Sequence, residues 1–345
     1  MLGRTMTGPA AALALGAAAT GVWSTAVLAQ SPEEFYKGRN VNMVIGFGAG
    51  GGYDIYARAL GRHLGKHIPG NPNIVPQNMP GAGSQKSLEY ILNHAPKDGT
   101  VIGTFGRSLP IAHLIENAKY DPSKLEWVGS IASDATTCIA WHTTGIKTWN
   151  DLKNRQFTVG GLGKGSDPEI FSSVMRVMFG VNTKLVTGYR GTNDMALAIE
   201  RGEIEGVCGW SYSSLRTSRK QWLAEKKVSI LMQAALARDP GIPPDVPMLL
   251  DKATTPEQKA ALTLILAPQS VGRPFVMPPG TPADRLAVVR KAFMAALKDP
   301  EFLAEAKKAS LDVSPMSGEE VAALYKKVYA TPKTVIDNAR RAVGN

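Results

Sequence analysis

The run Val-Ile-Gly-Phe-Gly-Ala-Gly-Gly-Gly-Tyr-Asp-Ile-Tyr-Ala-Arg at 44–58 constrains this chain more than any other segment. An apolar strand, 41–45, runs into Gly48, Gly50, Gly51 and Gly52, and a helix opens near Asp54. Glycine lets the backbone come close to a ligand, and a helix start carries N–H groups with no acceptor inside the helix. Together they make a seat for an anion.

The rest of the chain repeats that strand-to-helix step. Short apolar runs predict strands at 41–45, 73–78, 101–105, 127–132, 137–142, 156–160, 184–187, 206–210, 228–233 and 271–277. Apolar residues three and four apart predict helices at 54–67, 84–94, 167–178, 193–202, 282–298 and 318–329. This alternation predicts an α/β protein with mainly parallel sheets. Pro-rich joints at 239–247 and 274–282 mark a crossover and the return into the last helices.

The N-terminus reads as a secretory signal over 1–29. Arg4 is the only charge before Glu33, an Ala/Leu-rich stretch follows, and Val27-Leu28-Ala29 puts small residues at −3 and −1. The chain is therefore expected to be exported, with 1–29 removed. The net charge of +10 is spread in pairs such as Lys307-Lys308, with no basic tract and no aromatic interleaving. That argues against nucleic acid and leaves solubility and an attraction for small anions. The two cysteines, Cys138 and Cys208, both fall in predicted strands. An exported chain permits a bridge, and two buried thiols are the other reading.

Each candidate site residue has a plain structural alternative. Gly46, Gly48 and Gly51 satisfy the G-x-G-x-x-G spacing of dinucleotide folds, but the next strand ends in Pro76-Gln77-Asn78 with no acid for a ribose. The anion reading of Gly50, Gly51 and Gly52 is preferred. Asp54, itself an anion, caps or ties the loop or takes a ligand hydroxyl or ammonium. Gly83 and Ser84 form a second turn into a helix, with Ser84 as cap or ligand contact. Gly165 and Ser166 open a further helix; Lys164 is followed by Gly165, so a P-loop hydroxyl is missing and an amide-lined carboxylate seat fits better. Arg107, with Ser108 beside it, follows a predicted strand, and its guanidinium suits a carboxylate. Tyr189 and Arg190 are candidates of the same kind, against a solvated surface. Trp210 either floors the cleft or is core. No G-x-S-x-G or H-E-x-x-H motif occurs; His63 and His67, four apart, could share a metal, but no Glu or Cys sits beside them in sequence at ligand spacing, so no catalytic or metal residue and no cofactor is expected.

Several segments in order resemble one family. Gly46–Asp54 is similar to a Pro-Phe-x-x-Gly-Gly-x-x-Asp loop, with Gly46 in place of the proline. Asn78-Met79-Pro80-Gly81-Ala82-Gly83-Ser84, Ala95–Thr100 with Lys97 inserted, Tyr189-Arg190-Gly191, Pro243–Pro247, Pro278–Pro282 and Lys298–Glu301 follow. The chain resembles the periplasmic solute receptors of tripartite tricarboxylate transporters, the TctC-like or Bug-type receptors. The resemblance implies a type II periplasmic-binding-protein fold: lobe 1 at 31–133 plus 251–345, lobe 2 at 134–250, and one cleft that closes like a flytrap. It implies a mono- or dicarboxylate ligand, aromatic acids included, delivered to membrane permease subunits by a monomer. The alternatives are an exported α/β enzyme acting on a carboxylate or ester, and a ligand-sensing subunit of a signalling system.

Overall fold

The computed structural model describes residues 2, 3, 5, 8, 30–116 and 118–345, so the expected signal segment lies almost wholly outside the described residues. From Pro32 onward the chain forms one compact unit built on two sheets. The first holds β1 (Asn40–Ile45), β2 (Asn73–Asn78), β3 (Val101–Thr104), β4 (Glu126–Ser130), β10 (Pro274–Met277) and the two-residue β11 (Met316–Ser317), in the order β11-β4-β10-β3-β1-β2. The second holds β5 (Thr136–Trp141), β6 (Phe157–Gly160), β7 (Thr183–Val186), β8 (Gly206–Ser211) and β9 (Val228–Ala234), in the order β7-β6-β8-β5-β9.

The strand directions explain how the two sheets are joined. β1 pairs in parallel with β2 and β3, and β6 with β7 and β8. β10 is antiparallel to β3 and β4, and β5 is antiparallel to β8 and β9. β5 and β10 each arrive from the other sheet, while the short β11, also antiparallel to β4, lies at the edge of the first sheet. The chain leaves β4 at its carboxyl end, crosses over residues 131–135, and enters the second sheet from the facing end as β5. It returns after β9 and enters the first sheet as β10. The expectation of mainly parallel sheets thus needs one correction: a reversed strand sits inside each, because a crossover strand must start where its neighbours finish. The carboxyl ends of β1, β3, β6 and β8 therefore share the region between the sheets, where α/β proteins place their ligands.

Amphipathic helices cover both sheets. Helices Gly52–Leu64 and Ala283–Ala296 bury Tyr56, Leu60, Leu64, Val289 and Phe293 against Met43, Ile45, Val128 and Phe275 of the first sheet. A separate core behind the second sheet gathers Ile139, Met195, Ile199, Val207, Trp210 and Trp222. A third and larger cluster runs from one sheet to the other, from Phe105 and Trp127 through Cys138, Phe157 and Phe171 to Leu262, Tyr325 and Ala339. Cys138 and Cys208 stand opposite each other on β5 and β8 and are bridged.

Candidate ligand-binding site

A cavity of about 50 Å3 lies between the two sheets, with Phe47, Gly51, Gly52, Tyr53 and Arg107 on one side and Leu162, Ser166, Asp167, Thr192 and Ser214 on the other. That volume holds only a few water molecules. Strand β1 ends two residues before Phe47, and β3 ends three residues before Arg107. The helix Gly52–Leu64 opens at the wall, so its first-turn amides lie beside the cavity. No side chain fits at Gly52: a Cβ there would stand 1.8 Å from Ser214 Oγ. The backbone must come this close for the two halves to meet.

Arg107 dominates the electrostatics. It is 1% exposed, and its charge is already matched from within the chain. Nε donates to Asp167 at 2.9 Å, Nη2 donates to Thr136 Oγ1 at 2.6 Å, and Nη1 stands 3.4 Å from Asp134 Oδ2. Burial works against its charge, but Asp167 and Asp134 outweigh burial and raise its pKa above the usual arginine value. Asp134 lies in the first crossover and Arg273 at the end of the second, 2.9 Å apart. Burial alone would push the Asp134 carboxyl up; Arg273 and Arg107, with the Ser211 and Ser213 hydroxyls, hold it below the ordinary carboxylate value. The Arg273 guanidinium also lies over the rings of Tyr53 and Tyr56, at 4.8 and 4.7 Å from the centroids. Two arginines and two aspartates therefore form a neutral buried set at the joint between the sheets. A set of this kind does little for stability as a whole but is costly to break.

The anion seats expected in the two glycine loops are filled by the chain's own carboxylates. The Gly50 N–H donates to Asp54 at 2.8 Å, and Arg58 Nε and Asn78 Nδ2 donate to the same carboxylate at 2.8 Å. Asp54 thus ties the loop, the first of the roles expected for it. In the turn before the helix Asp167–Phe179 the Gly163 N–H, the Ser166 hydroxyl and Thr187 Oγ1 all donate to Glu169. Burial raises the Glu169 pKa, and these donors oppose it.

The remaining candidates divide by position. Gly51, Gly52, Arg107 and Ser166 line the cavity. Ser108 stands next to it and donates to Asp167. Ser84 is buried, takes a left-handed backbone at φ 74°, and its hydroxyl accepts from Gly106 N–H at 2.7 Å. It neither caps the helix Gln85–Asn93 nor reaches the cavity. Gly83 donates its N–H to Leu162 O at 3.0 Å and packs against Gly163 and Ser166. Gly165 packs on Leu109 and Ala112 from across the joint. Arg190 is exposed and paired with Asp194 at 3.0 Å, while its carbonyl accepts from Gly48 N–H. Tyr189 is half-buried against the second core, outside the cavity. Trp210 is fully buried, edge-to-face with Trp222. It is core, because the side chain at that point of β8 turns away from the cavity.

Sequence reasoning missed Asp134, Asp167, Arg273 and the serines 211, 213 and 214. Asp167 opens a helix next to Ser166, and a charged residue at that position is a usable signal. Asp134 and Arg273 meet only through the two crossovers, 139 positions apart, and no local pattern announces them.

No protein-family model matches the chain, and no curated protein matches it. Solved structures match throughout. The periplasmic binding protein BugD is 22% identical, with a TM-score of 0.72 over 89% of this chain and 98% of BugD. MatC from Rhodopseudomonas palustris with bound malate is 21% identical, with a TM-score of 0.67 over 88% of this chain and 99% of MatC. An R. palustris protein with adipate is 17% identical, with a TM-score of 0.67 over 88% and 97%. The fold is that of a periplasmic binding protein. More narrowly, it is the fold of the Bug and TctC-type members of that class.

Proposed function

We propose that this chain is an extracytoplasmic solute receptor that captures a small organic acid and hands it to a membrane permease, without chemistry of its own. The observation that carries this reading is the placement of Arg107. It stands at the end of β3, at the wall of a cavity between two sheets, in a fold that holds malate in MatC and adipate in the R. palustris protein. A guanidinium with its planar fork of donors is the side chain best suited to a carboxylate. On this reading lobe 1 is 31–133 plus 251–345, lobe 2 is 134–250, and the segments 131–135 and 235–273 are the hinge. Gly51, Gly52, Arg107, Ser108 and Ser166 contact the ligand; Gly50, Asp54, Gly83 and Ser84 shape the loops that carry them. Because 50 Å3 is far less than a ligand pocket of the usual size, the lobes must part to admit the acid.

The receptor is expected in the periplasm as a monomer, after removal of 1–29. No helix among the described residues is long and apolar enough to cross a membrane. Calorimetry against a panel of carboxylates tests the central claim. One acid should bind near micromolar and be recovered unchanged, and its amide should bind far more weakly. Equal binding of the amide, or recovery of a product, would defeat the receptor reading. The N-terminus of exported protein, read by mass spectrometry, tests the compartment: it should fall at or near Gln30.

A further inference from the structure

We propose that the Asp167 carboxylate occupies the seat of the ligand's carboxylate, and that the receptor therefore selects acids carrying a single carboxylate. This inference rests on the carboxylate-receptor reading and makes it more specific.

The seat is defined by what surrounds Asp167. Its Oδ2 accepts from Arg107 Nε at 2.9 Å, and its Oδ1 accepts from the Ser108 hydroxyl. Thr136 Oγ1 stands 3.1 Å from Oδ2 and 2.9 Å from Gln269 Oε1, so its single proton serves one of them. Arg107, Ser108 and Asp167 belong to different sheets' connections, and Asp167 enters from the first turn of the helix Asp167–Phe179. Asp167 also lines the cavity, so its seat can be reached from there. Its side chain is 11% exposed against 2% for Arg107. The acid is the partner with room to swing out.

The charges set the stoichiometry. With Asp167 in place, the two arginines and two aspartates cancel. With Asp167 turned out, Arg107, Arg273 and Asp134 leave one positive charge, which one carboxylate neutralises. A second carboxylate finds no cation. Among the described residues, Arg107 is the only basic one in the cavity wall. Arg273 is committed to Asp134 at 2.9 Å, to Ser211 at 3.1 Å, to Ser214 at 2.8 Å and to Ser213, and is stacked between Tyr53 and Tyr56. Phe47, Leu162 and Pro168 also line the cavity, and their apolar surface suits an apolar body. An uncompensated charge buried there would be expensive.

Butyrate and succinate test this directly, because succinate is butyrate with its terminal methyl replaced by a carboxylate. Titration calorimetry on the wild-type protein should show butyrate binding at least tenfold tighter than succinate. D167N, checked for a native circular dichroism spectrum, should bind butyrate at least tenfold tighter than wild type, since the internal competitor has lost its charge. Succinate binding as tightly as butyrate would overturn the single-carboxylate claim, and this arm stands even if D167N does not fold. A folded D167N that binds butyrate no better than wild type would overturn the shared seat while leaving the receptor reading intact. If neither acid, nor any other carboxylate in the panel, binds either protein, the receptor reading itself fails and this inference with it.

Discussion

Replacing Arg107 with methionine removes a buried cation from between two carboxylates and keeps most of its volume. Breaking one partner out of a buried ion pair costs about 3–5 kcal/mol, because a charge is stranded. Here the cost should sit near the lower end, about 3 kcal/mol. Asp134 keeps Arg273 at 2.9 Å and the Ser213 amide at 3.1 Å. Asp167 keeps Ser108 and has some access to solvent. The stranded charge is therefore mainly on Asp167, and removing it should recover stability. R107M/D167N should be more stable than R107M by at least about 1 kcal/mol, a coupling typical of contacting residues. Urea denaturation followed by circular dichroism measures all three variants, and in a thermal melt a loss of about 3 kcal/mol should lower Tm by about 4–5 °C in a chain this long. An R107M loss below 1 kcal/mol, or strict additivity in the double variant, would refute the view that these charges balance one another.

Three further outcomes follow from particular contacts. Reducing the Cys138–Cys208 bridge, or replacing both cysteines with serine, should cost about 2–4 kcal/mol in denaturant melts and leave ligand affinity within a factor of two or so, since the bridge joins β5 to β8 inside one sheet. Gly83→Ala puts a methyl 2.9 Å from Gly163 O and Ser166 Cβ at a backbone φ of 62°, so it should hold the two halves apart; small-angle scattering should give a larger radius of gyration than wild type in the presence of ligand, and an unchanged radius would count against the contact. Burial raises the Glu116 carboxyl to about 7, with Lys164 opposing and Glu169 adding to the shift. The folded form then holds a proton that the unfolded form releases near its ordinary value of 4.5, so this group's contribution is greatest at low pH and is lost as pH rises from about 4.5 to 7. Glu116→Gln should remove that decline, leaving the variant more stable than wild type at pH 8 by up to about 3 kcal/mol, and equal pH profiles would refute it.

Most of the fold was legible because its signals are local. Strand 73–78 and helix 318–329 appear where their periodicity places them, and the other expected strands shift by a few residues at most. The strand expected over 271–277 begins only at Pro274, since Ala267–Val271 winds into a short 3-10 turn ahead of it. The helix Tyr212–Ser218 carries no apolar stripe. Its start is fixed from outside, by Asp134 accepting from the Ser213 N–H and hydroxyl. The reversed strands β5 and β10 were illegible for a related reason: strand direction depends on which sheet the chain has just left, and no residue in the strand records that.

The site was legible in its loops and not in its charges. A glycine loop before a helix correctly announces amides in need of an anion, but it does not say whose anion arrives. At Gly50 and at Gly163 the answer is a carboxylate four and six residues downstream, Asp54 and Glu169, each on the first turn of the helix its loop opens. Nearby acids win these seats because they are tethered, and a tethered group has an effective concentration that a free solute at physiological levels does not approach. The same argument applies to Asp167 and Arg107, with one difference: they come from different sheets. Parting the sheets loosens that tether without touching the other two. On the proposed reading, Asp167 is the one of these three carboxylates that would yield its place to a ligand when the lobes open, which would leave the choice of ligand to this residue rather than to the glycine loops.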